Sequence, residues 1–136
     1  MIRRLTLFLV PSVFLAVNVA FAHHSHAMYD HDRTVTLTGT VKEFQWINPH
    51  CWIEVLVPDP KSPSAPPVEW GVEMGSPLEL KRHNWKPGSL QTGDKITAVI
   101  NPLKDGRPAG HMVSVTGADG KLIGTPLSEA EETSSK

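Results

Sequence analysis

From Thr34 onward apolar residues fall on alternate positions, in short runs closed off by proline and glycine. A period of two over such lengths is the pattern of half-buried β-strands, and it leaves little room for a helical core. Val35, Leu37, Gly39 and Val41 share one side of a first strand, with Thr34, Thr36, Thr38 and Thr40 on the other. Gly39 in mid-strand predicts a bulge or sharp coil there. His50 to Val57 reads as a second strand, with Cys51, Ile53, Val55 and Val57 toward the core and His50, Trp52, Glu54 and Leu56 opposite. Five prolines between Pro58 and Pro67 make a loop. Val68, Trp70, Val72 and Met74 then alternate with Glu69, Gly71 and Glu73 as a third strand. Ser76-Pro77 reads as an N-cap followed by a first-turn proline, opening a helix that Pro87-Gly88 keeps short. Lys95 to Ile100 and His111 to Thr116 are the fourth and fifth strands, and Lys121-Leu122-Ile123 is a candidate sixth. This order predicts an all-β fold, a small OB-like antiparallel barrel of five to six strands with one short helix between strands three and four. A β-sandwich is the alternative.

The segment before this domain has the three parts of a secretory signal peptide. Arg3 and Arg4 form a basic start, Leu5 to Phe21 is an interrupted apolar stretch, and Ala20-Phe21-Ala22 puts small residues where signal peptidase requires them. Pro11 and Asn18 weaken the stretch as a membrane span, which needs roughly 20 apolar residues. Cleavage after Ala22 is therefore expected, with a periplasmic product and no stable membrane insertion afterwards. The expected organisation is a signal peptide over 1–22, a histidine-rich arm over 23–33, the barrel domain over 34–127 and a polar tail over 128–136. Losing Arg3 and Arg4 leaves 11 basic residues against 14 acidic ones, a formal charge of −3. Such a domain lacks the basic surface that supplies most nucleic-acid affinity, so nucleic acid is not an expected partner. Cys51 is the single cysteine, so an intramolecular disulfide is excluded, and its apolar surroundings predict a buried thiol.

A His-His-Ser-His run starts at His23, Gly39-Thr40-Val41 leads to Asn48-Pro49-His50, and Trp70 stands with Glu73. On these residues rests a resemblance to the DUF6152 family of small exported bacterial proteins. It extends through Gly93-Asp94 and Asn101-Pro102-Leu103-Lys104-Asp105-Gly106. One departure is Asn84-Trp85 where Gly-Trp is expected, which bears on the turn after the helix. The resemblance implies a periplasmic setting and a small barrel, and no established activity.

Four of the seven histidines, His23, His24, His26 and His31, fall within nine residues. Neutral imidazole is a common ligand for copper, zinc and nickel. If the exported chain starts at His23, its α-amine and ring Nδ1 can chelate one ion together. A third nitrogen would complete a T-shaped site similar to the histidine brace of copper proteins. His50 is the candidate for it, so the expected metal ligands are His23, His24, His26 and His50. Amine and imidazole donors suit Cu(II), and zinc is the alternative. Met28 and Cys51 could serve Cu(I), although Met28 reads better as packing and Cys51 as inward-facing. The bland alternative is a solvated histidine-rich arm.

Trp52 and Glu54 share the His50 face and are candidates for a ligand-binding groove. Glu54, Glu69 and Glu73 could gather on the outer face of neighbouring strands, where carboxylates are usually solvated. No G-x-S-x-G, C-x-x-C, H-E-x-x-H or phosphate-binding glycine loop is present, so no catalytic residue is nominated and nothing positive argues for an enzyme. The expected function is a periplasmic metal-binding protein, with copper preferred. A metal-free OB-type module for a protein or small ligand is the second reading, and a copper redox enzyme the third.

Overall fold

The computed structural model describes residues 26–125. The expected signal peptide, His23, His24 and the polar tail lie outside the described residues. After a short 3-10 turn at His26–Met28 come β1 (Val35–Gln45), β2 (Trp52–Val57), β3 (Val68–Glu73), α1 (Pro77–Arg82), β4 (Lys95–Pro102) and β5 (Ala109–Gly117). The strands close into a barrel in the order β1-β2-β3-β5-β4. The all-β barrel with one short helix between the third and fourth strands is as the alternation predicts.

The strand number falls at the lower end of the expected five to six, and one detail differs from expectation. The barrel has five strands, because residues 121–123 contribute only an isolated bridge between Thr116 and Leu122. It is also not wholly antiparallel: β3 and β5 run parallel from Gly71–Ala109 to Glu73–His111, while the other four pairs are antiparallel. Strand directions cannot alternate all the way round a closed ring with an odd number of members. One parallel pair is the consequence.

Strand β1 holds the barrel shut by serving two neighbours. Val35 to Thr40 pair with β4, and Thr40 to Gln45 pair with β2. Gly39 sits just before the handover and is buried. A Cβ there would lie 2.4 Å from the Leu56 carbonyl oxygen and 2.8 Å from Val55 Cγ1, so only glycine lets the two strands approach this closely. The bulge itself falls between Val41 and Glu43, not at Gly39.

Inside, Leu37, Val41, Cys51, Ile53, Val55, Val72 and Met74 pack against Ile96, Ala98, Ile100, Met112 and Val115 from β4 and β5. Val68, expected among the inward residues, is 47% exposed at the start of β3. Leu80 from α1 and Trp85 just after it join the core. The Glu79 N–H donates to Ser76 Oγ (3.3 Å) at the helix start, as the N-cap reading predicts. The helix stops at Asn84, whose φ of 63° is the left-handed conformation that glycine favours and asparagine tolerates. The asparagine in place of glycine thus leaves the turn in place.

Candidate functional site

The segment before β1 lies against the barrel. The Lys104 N–H donates to the Met28 carbonyl (3.0 Å), Lys104 Nζ to the Ala27 carbonyl (2.9 Å) and the Asp30 N–H to the Pro102 carbonyl (2.9 Å). Asn101 Nδ2 donates to the Arg33 carbonyl (2.9 Å). Between these ties Tyr29 forms a bridge with Leu103 and is only 2% exposed. Tyr29 is thus packed on the barrel and the backbone around it is hydrogen-bonded, while Ala27, Met28, His31, Asp32 and Arg33 are exposed. Met28, expected to pack, is 41% exposed.

Tyr29 meets Glu73, the last residue of β3. Alternation puts Glu73 on the outer face, yet it is 6% exposed, with Tyr29 and His50 both against its carboxylate. This corrects the expectation of a solvated carboxylate. Both its oxygens are used: the Tyr29 hydroxyl donates to Oε2, and Oε1 faces His50 Nδ1. A buried carboxylate is costly unless such charge-assisted hydrogen bonds replace water. Burial, and then the hydrogen bond to Glu73 and its charge, raise the Tyr29 pKa far above the ordinary phenol range. The hydroxyl therefore stays a donor. His111 stands opposite Glu73 in the β3–β5 register, and its ring lies 5.6 Å from that of Tyr29, tilted by 44°. His50 follows the cis Asn48–Pro49 peptide, and its side chain is 36% exposed.

Beside this cluster an open groove of about 530 Å³ crosses the outer face of β2 and β3. Trp52, Glu54, Glu69 and Gly71 line it, with Ile47 from the β1–β2 connection and Leu103, Arg107 and Pro108 from the β4–β5 connection. A Cβ on Gly71 would lie 3.5 Å from Trp52 Cζ3, so the indole rests against a residue without a side chain. Lys42 Nζ bridges Glu54 (3.2 Å) and Glu69 (2.7 Å). Its hydrogen bond to Glu69 is the main cause that raises the Lys42 pKa, and the same bond lowers that of Glu69.

With this geometry in view, the matching family model is that of DUF6152, a family of unknown function, over residues 12–112. The chain belongs to the DUF6152 family. No curated protein and no solved structure matches it. In this DUF6152 protein the stretch from Asn101 to Lys104 has a clear local role, which is to hold the segment from Ala27 to Arg33 on the barrel.

Of the residues nominated from sequence, Trp52 and Glu54 lie together in the groove, and His50 stands on the same outer face two residues before Trp52. His26 opens the 3-10 turn. Cys51 is fully buried, and burial pushes its thiol pKa up. Among the described residues no group of three or more His, Cys, Asp or Glu gathers in a metal-binding arrangement, and no helix is long and apolar enough to cross a membrane. Sequence reading missed Tyr29 and His111 and undervalued Glu73. The available signals were that Tyr29 is the sole tyrosine in the chain, and that it lies within the histidine cluster, shortly before the first strand.

Proposed function

We propose that the protein is exported, is cleaved after Ala22, and binds a transition metal, copper before zinc, in the periplasm. His23 supplies its α-amine and ring nitrogen, His24 and His26 add local imidazoles, and His50 is the ligand from the barrel. One observation carries this reading: Tyr29 and His50 bind the two oxygens of the same buried carboxylate. A chain extends at most about 3.6 Å per residue, which keeps His26 within roughly 11 Å of Tyr29 and His23 within roughly 22 Å. That reach is what allows the histidine-rich segment to meet His50 in this reading. A carboxylate on the far nitrogen of a ligating histidine is also the usual outer-shell arrangement of metal sites.

The test uses the secreted protein. Its intact mass should correspond to residues 23–136. Titration with Cu(II) at neutral pH against a competing chelator should then show one tight site per chain. His50→Ala should weaken that site by tenfold or more. Weak binding indifferent to His50→Ala would overturn the proposal. The groove supports a second reading, a site for a small polar ligand, since about 530 Å³ lies within the usual range for such pockets. Trp52 fluorescence that responds to such a ligand but not to metal would favour it.

A further inference from the structure

We infer that Glu73 fixes the tautomer of His50, holding the proton on Nδ1 and leaving Nε2 as the lone-pair nitrogen of the neutral ring. An ionised carboxylate only accepts hydrogen bonds. Glu73 is 6% exposed, so little water can mediate between it and its neighbours. Its Oε2 already accepts from Tyr29, and its Oε1 faces His50 Nδ1. Were the imidazole proton on Nε2, two acceptor lone pairs would face each other in a partly buried contact. The loss of one charge-assisted hydrogen bond skews the tautomer ratio by at least about tenfold. Burial of Tyr29 keeps its hydroxyl protonated, so Oε2 stays occupied and Oε1 is the oxygen left for the ring. Glu73 is thus a positioning residue: it touches no ligand but decides which atom of His50 can bind one. Copper affinity as a readout rests on the proposed function, whereas the tautomer does not.

Long-range 1H–15N correlation of the metal-free secreted protein, labelled at histidine nitrogens and held in mildly alkaline buffer, reads the tautomer directly. His50 is identified by its absence in His50→Ala. The wild type should show the Nδ1–H pattern. Glu73→Gln keeps the size and an acceptor for Tyr29 but presents an N–H donor to Nδ1, so it should invert the pattern to Nε2–H and weaken Cu(II) binding by tenfold or more. Tyr29→Phe leaves the Glu73–His50 pair intact and should keep Nδ1–H, which gives a second reading if Glu73→Gln fails to fold. An Nε2–H wild type, an unchanged pattern in folded Glu73→Gln, or an inverted one in Tyr29→Phe would overturn the inference. Inversion without loss of Cu(II) affinity would uphold it and remove His50 from the metal site.

Discussion

A carboxylate as buried as Glu73 needs partners for both oxygens, and here one partner comes from the β1–β2 connection and the other from the segment before β1. Tyr29 carries the energetic consequence. Its pKa is raised in the folded state, chiefly by burial, so the fold favours the protonated phenol. The associated stabilisation is complete below the unfolded value of about 10 and is lost as pH rises beyond it. Tyr29→Phe strands Glu73 Oε2 and should cost about 1–3 kcal/mol at neutral pH. The variant should also lose part of the wild type's fall in stability above about pH 10. Denaturant unfolding of both proteins at neutral and alkaline pH checks this, and parallel pH profiles would contradict it. None of this was legible from residue pattern. Alternation along β3 places Glu69, Gly71 and Glu73 on one outer face, and no local rule says that only the last of them is covered. His50 could be nominated because its strand face was readable, but its partner could not.

At the level of elements, local chemistry was a good guide wherever it acts within a few residues. The N-cap at Ser76, the proline after it and the left-handed stop at Asn84 follow from side-chain hydrogen bonding and backbone sterics. The inward faces of β1 and β2 follow from period alone. Sequence could not say why Gly39 is a glycine, because the atoms that exclude a side chain belong to Val55 and Leu56 on another strand. Gly39→Ala should destabilise the barrel by about 2 kcal/mol, the usual scale for overpacking in a tight site. Gly88→Ala, where a Cβ meets nothing within 4 Å, should change stability by less than about 0.5 kcal/mol. Chemical denaturation midpoints separate the two. Equal effects would mean that the close approach at Gly39 is not what requires glycine.

For the whole molecule, closure and connectivity decide what the strands can present to solvent. Five strands in a ring require at least one parallel pair, here β3–β5, and that pair sets His111 beside Glu73. The β4–β5 connection then does two things at once, holding Ala27 and Met28 through Lys104 and walling the groove through Arg107 and Pro108. The N-terminal segment, the oriented imidazole and the groove therefore occupy one side of the barrel. The proposed function requires that the histidine-rich terminus reach this side and share one copper ion with His50. Electron paramagnetic resonance of the secreted protein loaded with one equivalent of Cu(II) tests it most directly. The account predicts a single species with nitrogen hyperfine structure that loses one nitrogen in His50→Ala. A mixture of species, or a spectrum identical in the variant, would contradict it.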